Sequence, residues 1–290
     1  MPIVISDGLV LGTVANPTGT PIFLWLNDAT LFEALDSTGN VEVSDADFPA
    51  VNLRNPATNL RWQANAAYIG GDIYVTASLD GLEDVDAMGI AVHNLGTGRN
   101  IISVQGTTNI VGGSPSPNWT ELIAESMQAN DDPLLFRWEP QTLTGVRLKI
   151  ASAQSPVTSI PAIGVMYIGK LLVLERGTHT DHSPINLNRQ TKTLTSRSES
   201  GQFLGRIVTS SGAETCLALK FIRSLFYREQ MEPFVRAART GPFFMAWRPE
   251  AFPNDVGYCW LTEDPQPVMH FDTGRFALTL QMSGVGPIES

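Results

Sequence analysis

Apolar and polar residues alternate with period two along most of this chain. In FALTLQM, Phe276, Leu278, Leu280 and Met282 alternate with Ala277, Thr279 and Gln281, the pattern of a strand with one buried face. GVRLKIA repeats it, with Val146, Leu148 and Ile150 set against Arg147 and Lys149. Further runs begin at Asp72 (DIYVTASL), Met88 (MGIAVHNL), Gly164 (GVMYIGKLLVLE), Gln202 (QFLGRIV), Thr215 (TCLALKFI) and Gly241 (GPFFMAWR). Gly, Pro, Asn and Ser clusters such as NPTGTP, NLGTGRN, GGSPSPN and FPND separate them, which is the punctuation short strands need. Many short strands divided in this way predict a mainly β protein built from sandwiches or barrels.

Two segments follow a helical period instead. Met231, Phe234, Val235 and Ala238 fall at i, i+3, i+4 and i+7, so a helix is expected over about 224–240. Pro233 fits only a first turn, which places the firm part from Glu232, with a looser turn before it and Gly241 as the stop. A weaker helix is expected from Asn118 or Thr120, with Leu122, Ile123 and Met127 as its apolar face.

At 290 residues the chain has room for two domains. Residues 177–199, RGTHTDHSPINLNRQTKTLTSRSE with the arginine before them, are the least patterned stretch and have linker composition. They divide a first domain, 1–176 with an N-terminal lead, from a second, 200–290, that contains the helix. Charge narrows the partners. A formal net charge of −10 and a sequence pI of about 4.8, with no basic stripe, argue against nucleic acid and anionic membranes. No stretch reaches the ~20 apolar residues of a membrane span, and the N-terminus lacks a basic n-region, so a soluble chain made in a cytoplasm is expected.

Candidate chemistry is sparse. His179-Thr180-Asp181-His182 offers imidazole and carboxylate ligands for a metal, but Gly177 before it and Ser183-Pro184 after it oppose the helix that would stack the two histidines. The competing reading is a solvated linker whose histidines, protonated near pH 6–6.5, alter the angle between domains. Cys216 and Cys259 lack CxxC spacing and sit in apolar runs, where a small hydrophobe is the first reading and a disulfide or a reactive thiol the alternative. Nucleophile elbows, phosphate loops, dinucleotide loops and HExxH are absent, so no catalytic residue, metal or cofactor is assigned and an enzyme is not expected. Trp62, Trp138, Trp247 and Trp260 lie in apolar runs that suit core packing. Trp119 follows the loop GGSPSPN and is either a platform for a sugar or protein partner or a staple fastening that loop.

Residues 50–175 resemble a family in their order of motifs. AVNLRNPATNLRWQA, DIYVTASLDGLEDVDAMGIAVHNLG, LLFRWEPQTLTGVRLKIA and IPAIGVMYIGKLLVLER are similar to a discoidin-like, galactose-binding-like β-sandwich, a jelly-roll. With the following SESGQFLGRIVTSS and GPFFMAWRPEAFPNDVGYCWLTED, the chain resembles a distal tail or baseplate protein of long-tailed phages, whose second part is a tail-tube-like sandwich with one packed helix. That resemblance implies a structural virion protein at the tail tip. It would form a ring, commonly a hexamer, with copies of itself, and contact tail-tube, tape-measure and hub proteins. The first sandwich would be free to bind host-surface saccharide. In such modules the ligand loops lie at one end of the sandwich, which makes Arg61, Arg99 and Trp119 the candidate binding residues. A carbohydrate-binding adhesin is the alternative function, with a polysaccharide-acting enzyme behind it.

Overall fold

The computed structural model describes residues 3–13, 16–37, 39, 43–66, 71–109, 118–151, 159–178, 182–185, 187–270 and 272–285. The protein is mainly β, as its periodicity predicts, and is organised around two eight-stranded sheets. The first contains β1 (Ile3–Ile5), β3 (Ala29–Asp36), β4 (Trp62–Gln63), β5 (Ile73–His93), β6 (Ile101–Thr107), β7 (Thr120–Met127), β8 (Leu134–Ala151) and β9 (Ala162–Gly169).

The separate runs starting at Asp72 and Met88 are one 21-residue strand, β5, and LLFRW continues into GVRLKIA as the 18-residue β8. Both strands cross between layers. Gly81 supplies the bend with a φ of +91°, and the β5–β8 register breaks between Ser78 and Glu83. Before the break β5 pairs with β3 and the end of β8, which also pairs with β6; after it, β5 pairs with β9 and the start of β8. The result is a sandwich. Its core holds Val75, Val85, Met88, Ile90, Phe136, Trp138, Leu148 and Met166. Trp138 and Trp62 are fully buried, with their indole N–H groups donated to the Val85 carbonyl and the Ser44 hydroxyl.

The second sheet runs β10 (Leu172–Val173), β2 (Ile22–Leu24), β13 (Phe243–Ala246), β14 (Val256–Leu261), β16 (Arg275–Val285), β12 (Phe203–Arg223) and β11 (Arg189–Arg197), with β15 (Val268–His270) beside β16. The sequence places the boundary near 176, but the chain changes sheet three times before it. β1 pairs in parallel with β8 in the first sheet, the chain then enters the second sheet at β2, leaves it after Leu24 and returns at Leu172, so every sandwich strand except β1 is inserted between β2 and β10. The last two crossings lie side by side. Asn27 donates to the Met166 carbonyl and accepts from the Ile168 N–H, and a Cβ on Gly169 would come within 2.9 Å of the Leu26 carbonyl.

Strand alternation stacks these layers. In β13, Phe243 and Met245 face the helix side, with Phe23, Leu217, Leu280, Phe234 and Val235, while Phe244 and Ala246 face the inserted sandwich. Across that second junction lie Ala87, Ala91, Leu135, Val165 and Tyr167, the outward-facing residues of the sandwich's inner layer. Space there is tight: a Cβ on Gly89 would sit 2.5 Å from the Phe244 ring. The helix covers the other face, α1 (Ser224–Phe226) and a π-helical turn (Tyr227–Met231) leading into α2 (Glu232–Ala238), which starts where Pro233 permits. Phe234 packs on Phe23 and Phe243 at 4.8 and 5.1 Å between ring centroids.

Two expectations change. Thr120–Met127 is an edge strand rather than a helix: Leu122 and Ile123 are both buried because the β6–β7 register shifts beside them, and Met127 is exposed. The apolar pair at adjacent positions imitated a helical face. Within the expected linker, Arg189–Arg197 is strand β11, paired along its length with Phe203–Ala213. From Phe203 to Gly212, β12 has β11 as its only strand partner among the described residues, so a two-stranded arm about 30 Å long, at ~3.4 Å per residue, leaves the sheet.

Candidate functional site

The three candidate binding residues do not converge. Arg61 is exposed, its guanidinium 4.8 Å from the Phe48 ring centroid. Arg99 is exposed in the turn after β5, with a φ of +50°. These two share one end of the sandwich, since Trp62 and His93 both pair with Ile163. Trp119 immediately precedes Thr120, which pairs with Gly106 near the far end of β6, roughly 20 Å away at ~3.3 Å per residue.

The Arg99 turn is held firmly. The Asp131 carboxylate accepts from the Gly96 and Thr97 N–H groups and the Thr97 hydroxyl at 2.8, 2.9 and 2.6 Å. Asn94 spans the start of β9, donating to the Ile160 carbonyl and accepting from the Ala162 N–H. Buried His93 lies 2.8 Å from the Asp132 carbonyl through Nε2, and burial holds its pKa below the ordinary imidazole value. This end is preorganised, and Arg61 and Arg99 are both exposed cations on it.

Trp119 belongs to a different cluster, on the sandwich's outer face. The Arg147 guanidinium lies between two rings, 4.3 Å from the Trp119 centroid and 4.2 Å from that of Tyr74, and its Nε donates to Gln105 at 2.7 Å. Arg147 is 8% exposed. Strand register creates the group, because Thr76, Arg147 and Gln105 are aligned across β5, β8 and β6. Sequence reasoning named Trp119 and missed Arg147; the available signal was a cation at the outward position of an otherwise half-apolar strand. The loop GGSPSPN lies outside the described residues up to its last residue, Asn118.

The arm is the third feature. Leu194, Phe203, Leu204, Ile207 and Val208 are each more than half exposed, at 58–67%. Its cations Arg189, Lys192, Arg197 and Arg206 face one acid, Glu199, in a chain whose net charge is −10.

His179 and Asp181 of the candidate metal group lie outside the described residues. His182 is packed on the second sheet, its Nδ1 3.0 Å from the Cys216 carbonyl and its ring 4.7 Å from that of Trp247. Burial lowers its pKa, opposing the protonation that the hinge reading requires. Trp247 in turn stacks on Phe252 at 5.2 Å and donates to Asp255. Trp260, expected in a core, is 41% exposed. Cys259 is fully buried with its thiol pKa pushed up, and both cysteines are free.

No protein-family model matches this chain, and no curated protein does. Solved structures similar to about half of this chain include a pectin-binding carbohydrate-binding module (19% identity, 49% of this chain and 91% of that one, TM-score 0.34). Another is the CBM32 module of AlyQ in complex with 4,5-unsaturated mannuronic acid (19%, 49% and 95%, TM-score 0.37). A third is chitosan-binding module 1 of a chitosanase/glucanase from Paenibacillus sp. IK-5 (15%, 50% and 97%, TM-score 0.38).

Proposed function

We propose that this chain is a self-assembling structural protein that displays its inserted sandwich as a saccharide-binding module. The arm is the observation that carries self-assembly. A two-stranded hairpin is at best marginally stable alone in water, and this one exposes apolar residues from both of its strands. It is also basic on an acidic chain, so the surface that completes it is acidic, and a second copy of the chain supplies one. An arm reaching a different surface on the next copy is a heterologous contact, which closes into a ring when the rotation allows. Analytical ultracentrifugation of the full chain is expected to show an oligomer that dissociates in the double variant Leu194→Asp/Ile207→Asp. A strict monomer at high concentration would sink this half of the proposal.

In its finer form the reading is a distal tail or baseplate ring component of a long-tailed phage, located at the tail tip and contacting tail-tube, tape-measure and hub proteins. The resemblance of the motif order and the arm support it. Negative-stain images of the chain mixed with tail tubes test it, and tubes left uncapped count against it.

The second reading, saccharide binding by the sandwich, is favoured by the partly exposed Trp119 indole packed against the Arg147 guanidinium, since an indole face stacks against the C–H face of a sugar ring. The similar modules bind saccharides by name, and that role comes to this chain as a proposal. A glycan array of the full chain tests it; silence across bacterial surface polysaccharides would leave the sandwich as scaffold. No catalytic role is proposed.

A further inference from the structure

Arg147 and Lys149 are neighbours on the outer face of β8 and differ in one respect. Lys149 has two carboxylates, Glu125 at 2.8 Å and Asp72 at 3.6 Å. Arg147 is more buried and has none among the described residues; its one hydrogen bond goes through Nε to the neutral amide of Gln105. Burial pushes its pKa down to about 10, which still leaves it charged at neutral pH. A buried cation without a counter-charge is costly, and such charges are ordinarily paired. The two terminal nitrogens carry the forked donor geometry that matches a carboxylate bidentately, and the Tyr74 and Trp119 rings hold the guanidinium in place, 4.2 and 4.3 Å from their centroids. Beside it, Ser103 is 1% exposed, pairs across the ladder with Lys149, and its hydroxyl has no partner among the described residues.

We propose that Arg147, clamped by Tyr74 and Trp119 and steadied by Gln105, is a recognition site for the carboxylate of an acidic saccharide of the uronate class. The ligand supplies the missing counter-charge to the guanidinium, and its ring lies against the Trp119 indole. Arg147 gives selectivity for acidic over neutral sugars, because a neutral ring leaves the buried charge unpaired. The site is on the sheet face, away from the loop end that holds Arg61 and Arg99. This inference rests on the saccharide-binding reading and adds to it the ligand class and the residue that selects it.

Calorimetric titration of the full chain with galacturonate and glucuronate oligosaccharides, compared with their galactose and glucose counterparts, tests the inference. The expected result is at least tenfold tighter binding of the acidic set. Arg147→Met, which keeps apolar bulk between the rings, is expected to abolish that preference, and Arg147→Lys to retain only part of it. Far-UV circular dichroism and the melting temperature of each variant verify folding. Equal affinity for acidic and neutral sugars, or a preference that survives in Arg147→Met, overturns the inference while the saccharide reading stands. Binding of no sugar at all overturns both. Tetraglutamate or inorganic phosphate binding Arg147 as tightly as the uronates would make this a general anion site and overturn the ligand class.

Discussion

Strands β9 and β11 have eight and nine residues, yet all of β9 is buried and none of β11 is. β9 reads AIGVMYIG because it lies between two cores: Ile163, Met166 and Ile168 face the sandwich interior, Val165 and Tyr167 the second sheet. β11 reads RQTKTLTSR and packs on neither face. Neither alternates between buried and exposed positions, contrary to the period-two expectation for GVMYIGKLLVLE, since alternation marks a strand whose two faces meet different media. β9 therefore draws its stability from the fold it completes, while β11 and the part of β12 paired with it have neither face covered among the described residues.

One substitution placed in both strands breaks this comparison most sharply. Val165→Asp buries a charge at the junction of the two units and is expected to cost more than ~4 kcal/mol, read as loss of folded protein in denaturant titration. Leu194→Asp on the arm is expected to change stability by less than ~0.5 kcal/mol and to weaken self-association, read by sedimentation. If Leu194→Asp instead lowered the melting temperature of a dissociated chain by several degrees, the arm would be part of the monomer's own fold.

A buried carboxylate gives the next effect. Asp86, beside Arg137, accepts the Leu171 N–H at the return to the second sheet, and burial raises its pKa from 3.8 to about 6. The native chain then binds a proton that the unfolded chain lacks between those values, so this group adds stability as pH falls from about 7 towards 4, at most ~3 kcal/mol. Asp86→Asn is expected to remove that part of the stability difference between pH 8 and pH 5 measured in urea. An unaltered difference would contradict it.

Gly89→Ala drives a methyl into the Phe244 ring and is expected to cost ~1–3 kcal/mol, less when combined with Phe244→Leu; additive costs would show that the layers do not meet there. The smallest effect is expected at His182. Its pKa is depressed by burial, so its contribution is present above the unfolded value of 6.5 and fades as pH falls below it, opposite in sign to Asp86. His182→Gln is expected to flatten the acid limb of the stability profile, and an unaltered limb would place the effect elsewhere.

The legible parts of the sequence were those where local pattern and environment agree. Half-buried strands such as β16, the Pro233-started helix and the satisfied core tryptophans Trp62 and Trp138 could be read directly. Thr120–Met127 misled because a register shift buried two adjacent residues, and the arm misled because a strand without a buried face has linker composition. Arg147 was visible as a cation on a strand, but its burial and unpaired charge depend on Tyr74, Gln105 and Trp119, brought together from three other stretches of chain.

By itself the sequence determined the mainly β character, the place of the helix and the acidic surface, because periodicity, proline position and charge are local or additive properties. Tertiary structure alone decided that Ile22–Leu24 and Leu172–Val173 lie in one sheet with all sandwich strands but β1 between them, and that Arg147 has no carboxylate partner among the described residues. Both are facts of pairing between distant residues, set by which faces the packed layers leave to one another, and no local pattern encodes them.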